Sequence, residues 1–461
     1  MRQRRVCRAH TATQLKAQPP VSLIEMGGGT SKVNVATIDE RKSTALKGKI
    51  KAMSRLSAAK GETVSHKFWC KQGGETLAPL FEFTRVVDMH WLVRFAKGEA
   101  TFTPATQYPS PMAVPGWQDV PTEALVDLNA LRCAELDYNA LPILVLSYGW
   151  CGVDHPDPNG DHLQKLLPVL ESIVAYCDEY LPACKTWGVV WDYMAFPQRG
   201  RTLGLSEGVK DDRTPEQLEI FRAGLRNINK WYAHPTTTTV LLDAPMPAGA
   251  SNQTAYGQRG WCIFEYRIAA VVKDNDCYLH ISNPTRVSFW PGMRKELAAS
   301  RPAPMLPSAF ATYVTDGIAN GTIKFTNGRD ATEIVIPQYA LGFEAAMEAA
   351  VEFDYEGLGW QDAEAEQFAA ALAHAHANGG LRKVTKVNLI KNQISDDGVH
   401  ALAAVVASGA MPKLKPRGLM LSFNRANKGS LDEVKAAFKS RKESKAAAAD
   451  TPQFTSAAPA M

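Results

Sequence analysis

The sequence predicts an α/β protein: a parallel sheet with helices on both faces, followed by a shorter run of strand–helix repeats. Three observations carry this expectation. Short apolar runs alternate with helical stretches between residues 141 and 285. A second frame of spaced apolar and asparagine residues recurs between 351 and 435. The chain is 461 residues long, 45% hydrophobic and 21% charged, which suits more than one buried core and excludes a chain disordered throughout.

The elements run in order along the chain. Residues 1–65 carry Gly27-Gly28-Gly29, many lysines and few aromatics, and are expected to form a basic disordered tail. The three glycines lack the strand–helix frame and following Lys-Ser/Thr of a phosphate-binding loop. Residues 66–140 are expected to be an extension packed on the domain C-terminal to it, with a strand at Leu80-Phe81-Glu82-Phe83. Ile143-Leu144-Val145-Leu146 is a continuous apolar run, as in strands buried on both faces. Leu163, Leu166, Leu167, Leu170, Ile173, Val174 and Cys177 then take helical spacing, with Pro168 marking a kink or a helix start. Gly188-Val189-Val190-Trp191 gives a second strand, and Thr214-Pro215-Glu216-Gln217 is a capping box with proline at the first helical position. Leu218, Phe221, Leu225, Ile228 and Tyr232 continue that helix up to Pro235. Thr237–Leu242 is a third strand, Trp261–Val272 a third helix and Cys277–Ile281 a fourth strand. Alternation of this kind implies a flavodoxin-like parallel sheet over 141–285.

Residues 286–350 contain the proline-rich Arg301-Pro302-Ala303-Pro304 and are expected to be a connector. In 351–435, Val384, Val387 and Leu389 precede Asn392, Ile394 and Gly398, and the frame recurs at Leu419, Leu421 and Asn424. It resembles the ribonuclease-inhibitor type of leucine-rich repeat, and two to three repeats make a short stack. Residues 436–461 are rich in alanine, serine and lysine and are expected to be a second disordered tail.

Three groups of residues fall where open parallel sheets bind ligands, beyond the carboxyl ends of the strands. They are Ser147-Tyr148-Gly149-Trp150, Trp191-Asp192, and Tyr256 through Arg259 and Trp261-Cys262 to Glu265. In this order they resemble the Toll/interleukin-1 receptor (TIR) superfamily. Such domains open with a strand ending in Ser-Tyr or Ser-Phe, and their second strand ends in an Asp-containing segment. Their third helix begins with a tyrosine, four intervening residues and then Trp-Cys-x-x-Glu. The resemblance covers roughly 145 residues. It implies a signalling or self-associating module whose partners are other proteins, bound through the TIR-like and repeat surfaces, with a defence or stress role. In catalytically active members the motif glutamate is needed for NAD cleavage, which here implies Glu265. The implied substrate contacts are Ser147, Tyr148, Trp150, Trp191, Asp192, Tyr256, Arg259 and Trp261, with stacking by the aromatic strand ends and a pyrophosphate contact from Arg259 or Arg267. NAD enters as substrate, and no resident cofactor or metal is implied. A carboxylate suits this chemistry, because breaking the ribose–nicotinamide bond develops an oxocarbenium-like cation.

Other features exclude classes. Asp154, His155, Asp157, Asp161 and His162 cluster in sequence, but turn formation and a helix-capping Asp161 account for them better than a cation does. Ser147 lacks a Gly-x-Ser-x-Gly elbow, which argues against a hydrolase nucleophile. His374 and His376 lie two apart on a helix, on different faces. Residues 1–60 hold 13 Lys/Arg against 3 Asp/Glu, a net +10, which leaves −6 for the other 401 residues. A specific nucleic-acid-binding body is therefore not expected. The basic segment Lys42, Lys47, Lys49, Lys51, Arg55 and Lys60 fits a solvated tail. No apolar run is long enough for a membrane span, and no C-x-x-C pair occurs among the eight cysteines, so the expected location is the cytoplasm. The basic, acid-poor start up to Glu25 leaves an organelle transit peptide open.

Overall fold

Residue-by-residue burial explains the central sheet. The computed structural model describes residues 66–449 except 105–107, 201–210, 284 and 299, with side chains described as far as 441. The basic tail, its glycines and lysines, and residues 450–461 lie outside the described residues.

Strands β1 (Val87–Asp88), β2 (Ile143–Tyr148), β3 (Gly188–Val190), β4 (Thr238–Leu242) and β5 (Tyr278–Ile281) form one sheet in the order β1-β3-β2-β4-β5. The last four are mutually parallel, and β1 runs antiparallel to β3. Every residue of β2, β3 and β4 is buried, so both faces must be covered. The covering helices are α1 (Met89–Ala96), α2 (Asp161–Tyr180), α3 (Pro215–Ala233) and α4 (Gly260–Ala269). With this strand order, right-handed crossovers place α2 on one face and α3 and α4 on the other. The side chains of β2 alternate accordingly. Ser147 meets Glu265 of α4, whereas the Tyr148 ring sits edge-on to His162 of α2 at 5.5 Å.

Helix starts are set locally. Thr214 and Gln217 close the capping box on α3. Helix α2 begins after Gly160, which holds φ +75, and its cap is Asp157, not Asp161: the Asp157 carboxylate accepts from the backbone N–H of His162 and Leu163 at 3.1 and 2.9 Å. That helix runs through Pro168 from a start seven residues earlier. Strand β3 stops at Val190 because Asp192–Ala195 turns helical, and α4 stops at Ala269, short of Val272.

Three segments depart from the sequence expectation. Leu80–Phe83 is not a strand: Ala78–Glu82 forms a tight helical turn with Pro79 near its start, and Leu80 is buried in the main core. The extension's strand is β1, whose two residues extend the sheet at its edge. Residues 286–350 are folded, not a connector. They supply α5 (Trp290–Leu297), α6 (Pro307–Ala319) and α7 (Ile336–Ala349), and Phe310, Val314, Tyr339, Phe343 and Met347 are buried in the main core. Residues 436–449 are not a disordered tail either. They belong to α10 (Lys428–Ala449), anchored by buried Val434, Ala437 and Phe438 and by Arg441, which donates to the carbonyls of Ala410, Met411 and Leu414.

The C-terminal strands β6 (Glu352–Asp354), β7 (Lys386–Asn388) and β8 (Leu419–Met420) form a separate parallel sheet, with α8 (Asp362–Ala377), α9 (Asp396–Ala407) and α10 on the return legs. Two asparagines stitch it. Asn392 donates to the carbonyls of Leu389 and Tyr355 and accepts from the N–H of Trp360; Asn424 donates to those of Leu421 and Leu389 and accepts from Ile394. Each side chain thus satisfies backbone groups of its own unit and of the one before it.

Arg301 joins the two sheets. It is 1% exposed, its guanidinium donates to the carbonyls of Lys273 and Asp354 and to the Asn275 side chain, and it lies 4.8 Å from the Tyr355 ring centre. Around it, Tyr355 donates to the carbonyl of Val271, Trp360 to that of Arg301, and Asn275 to that of Glu356. Among the described residues, no helix is long and apolar enough to cross a membrane.

Because Arg301 alone satisfies several buried acceptors on both sides, Arg301→Met is expected to cost about 3–5 kcal/mol of unfolding free energy, from stranded carbonyls. Urea denaturation checks this; a loss below about 1 kcal/mol contradicts the role given to Arg301.

Candidate active site

At the carboxyl ends of β2 and β3, residues from several separate segments line a cleft of about 1220 Å³. Tyr148 and Trp150 come from the end of β2, Asp192 from the turn after β3, and Arg259, Trp261, Cys262 and Glu265 from the start of α4. Phe221, Leu225 and Ile228 of α3 add an apolar wall. The last side is Lys324, Phe325 and Asp330, from the stretch expected to be a connector.

Glu265 is 7% exposed and sits on the first turns of α4. Ser147 Oγ donates to Glu265 Oε2 at 2.5 Å and lies 2.6 Å from the Tyr256 hydroxyl. Burial pushes the Glu265 carboxyl up to about 8, opposed by the Ser147 hydrogen bond and reinforced by the negative charge of Asp192. Tyr232 on α3 also faces it and donates its own proton to the Leu146 carbonyl at 2.8 Å. At neutral pH, Glu265 therefore rests mainly protonated.

Asp192 is held differently. The Tyr148 hydroxyl donates to Oδ1 at 2.7 Å, the backbone N–H of Tyr193 donates to the same oxygen at 2.7 Å, and Trp150 Nε1 donates to Oδ2 at 2.9 Å. Burial pushes Asp192 up to about 6, and the bonds from Tyr148 and Trp150 pull it down, so at neutral pH it is mainly a carboxylate. Two acids in one cleft thus rest in opposite protonation states.

Several expected substrate contacts take other roles. Ser147 is wholly buried and Tyr256 nearly so; both stand behind Glu265 and orient it. Trp191 is 0% exposed, lies off the cleft and packs edge-on against Tyr148 at 5.4 Å, so it has no face free for stacking. Arg259 lines the cleft, but its guanidinium donates to the carbonyls of Thr254, Trp150 and Asn252 at 2.8, 2.8 and 3.0 Å; it fixes the loop carrying Trp150. Arg267 stacks near Tyr266 and Tyr313, away from the cleft lining. Tyr148, Trp150, Asp192, Trp261 and Glu265 do converge on the cleft.

Sequence reasoning misses Tyr232, Lys324, Phe325 and Asp330. Tyr232 is visible there only as a helical core position, and its hydroxyl is the unused signal. The others act because 324–330 is laid against α4. Gly260 N–H donates to the Lys324 carbonyl at 2.9 Å, and Asp330 accepts from Trp261 Nε1 at 3.0 Å. Phe325 covers Gly260 so closely that a β-carbon there would lie 1.9 Å from its ring, which explains glycine at the head of this helix.

Among the described residues, no group of three His, Cys, Asp or Glu side chains is arranged to hold a metal ion. Asp157 is spent on capping α2, and His162 points its Nε2 at the Gly149 carbonyl, 2.8 Å away. The chain matches no protein-family model, no curated protein and no solved structure.

The buried proton on Glu265 has a thermodynamic signature. The folded state keeps it up to about pH 8, whereas the unfolded carboxyl loses it near 4.5, so stability falls as pH rises through that window. Glu265→Gln removes the penalty. Its stability relative to the parent is expected to climb between pH 4.5 and 8, by up to about 1.4 kcal/mol per pH unit, and then level off. Thermal melts over pH 4–9 check this, and a pH-independent difference contradicts a buried, protonated Glu265.

Proposed function

We propose that this cleft cleaves the N-glycosidic bond of a ribonucleotide, with NAD as substrate, nicotinamide as leaving group and Glu265 as the essential carboxyl. The observation that carries the reading is a buried carboxyl on the floor of an aromatic-walled cleft, positioned by Ser147 and flanked by a second acid. The first of the four parallel strands lies between the second and third, and this order supports a flavodoxin-like sheet. The TIR-like residues Ser147, Asp192 and Glu265 lie at its carboxyl edge, and this supports a TIR-like architecture.

In the reaction, the C1′–N bond breaks with both electrons passing to the pyridinium nitrogen, so nicotinamide leaves neutral. Positive charge develops on C1′ and the ring oxygen, where ionised Glu265 stabilises it. Water then adds to C1′ and its surplus proton goes to solvent. A resting proton on Glu265 suits a cationic substrate, because a pyridinium beside the carboxyl favours its release. Trp150 and Trp261 offer aromatic surface for the base.

A second reading draws on the C-terminal unit. The asparagine stitching of β6–β8 supports a leucine-rich-repeat stack, and Phe423, 79% exposed beside it, supports protein recognition by a TIR-like signalling module.

Incubating the protein with NAD and measuring free nicotinamide tests the enzymatic reading. Glu265→Gln is expected to lose at least about 100-fold in turnover, on the scale of removing one charge-stabilising group. For the parent, kcat/KM is expected to rise with pH and plateau above about 8, as Glu265 gives up its proton. Absence of nicotinamide release at any protein concentration favours the recognition module instead.

A further inference from the structure

Cleavage of the glycosidic bond by Glu265 leaves Asp192 without a task. Asp192 carries an unusual load for an acid at the edge of a cleft: three donors, none of them charged. Among the described residues, no lysine or arginine forms an ion pair with it. The nearby Arg259 turns its guanidinium to three backbone carbonyls instead. An ionised carboxylate has about four acceptor positions. Tyr148 and the Tyr193 N–H fill both positions on Oδ1, and Trp150 fills one on Oδ2. One position on Oδ2 is therefore left, on a half-buried residue that lines the cleft beside Glu265.

A half-buried anion with one open acceptor position calls for a neutral hydroxyl donor or a cation. The hydroxyl is favoured here. The donors already in place are fixed by packing: the Tyr148 ring is wedged between His162 and Trp191, and Trp150 stacks edge-on to Tyr193 at 5.7 Å. They pre-orient one lone pair, and among the described residues no group of three His, Cys, Asp or Glu side chains is arranged to hold a metal ion. The ring that Glu265 acts on carries hydroxyls at C2′ and C3′, one bond from the reacting carbon and its neighbour.

We propose that Asp192 is the specificity-determining carboxylate of the cleft, accepting a hydrogen bond from the 2′- or 3′-hydroxyl of the ribose whose C1′ lies at Glu265. Tyr148 and Trp150 are its positioning residues. The inference rests on the N-glycosidic reading and deepens it: the substrate class becomes ribosides, with deoxyribosides rejected. A site built around a hydroxyl rejects an analogue lacking it strongly, because the buried acceptor is then left unpaired. Charged and polar groups near the pair include Tyr232 on α3, Tyr256 and Arg259 before α4, and Cys262 on α4. Their hydrogen bonds run to the Leu146 carbonyl, Ser147, the Trp150 carbonyl and the Tyr148 carbonyl, not to Asp192.

The test separates binding from turnover. Binding of NAD and of its 2′-deoxy and 3′-deoxy nicotinamide-ribose analogues is measured by calorimetry in the Glu265→Gln protein, with and without Asp192→Asn. The expected result is at least about 30-fold weaker binding of one deoxy analogue than of NAD, on the order of one lost charge-assisted hydrogen bond. Asp192→Asn is expected to weaken NAD to a similar degree and the discriminated analogue by less than about 3-fold. Trp150→Phe, which removes one donor and keeps the carboxylate, is expected to reduce the discrimination without abolishing it. Equal losses for NAD and both analogues overturn the proposal and point to a structural role. A loss seen with NAD and both analogues but absent with NADH overturns it in favour of contact with the cationic ring. If the parent releases no nicotinamide yet Asp192-dependent discrimination persists, the catalytic reading fails and the ribose contact stands. If none of the ligands binds, both fail.

Discussion

One buried guanidinium sets the frame for the rest of the molecule. Arg301 reaches acceptors on the segment after α4 and on β6, so the main sheet and the C-terminal sheet share a single hydrophobic core. A guanidinium suits that position because its several donors spread in a fixed fork, whereas an ammonium offers three donors from one point. The consequence extends to the cleft. Residues 302–350 leave Arg301, pack α7 on α3 and α4 and α6 on α7, and pass through 324–330 along the head of α4. The far wall of the cleft is thus built by a segment held at its base by this junction.

The cleft depends on unequal solvation of two acids. Glu265 is buried and accepts from few side chains; Asp192 is half-buried and held by three donors. The first keeps a proton and the second does not. Pairs of titratable groups with divided environments are what acid–base sites are built from. Here the division comes from which residues stand behind each acid, and the proposed catalytic and specificity roles rest on it.

Part of this is legible in the sequence. Apolar runs and caps locate β2 to β5 to within a residue or two, since both signals are local. Ser147, Asp192 and Glu265 stand out because strand ends and helix starts in an alternating pattern fall at one edge. The tight turn at 78–82 reads as a strand because Phe81 and Phe83 alternate like one, while Pro79 and long-range burial of Leu80 decide otherwise. The stretch 286–350 reads as a connector because prolines and glycines in a loop look alike whether the loop is solvated or pinned.

By itself, then, the sequence determined the kinds and order of the elements between 141 and 285 and the three motif residues, because periodicity and capping act locally along the chain. Only the tertiary structure decided which motif residues touch the cleft, which stand behind it and which acid holds a proton. Those properties depend on desolvation and on hydrogen bonds between distant residues; Ser147 and Glu265 are 118 positions apart. Arg259 shows the difference most plainly. Its position beside the cleft comes from the motif, and its inability to spare its guanidinium comes from three carbonyls that no local pattern announces.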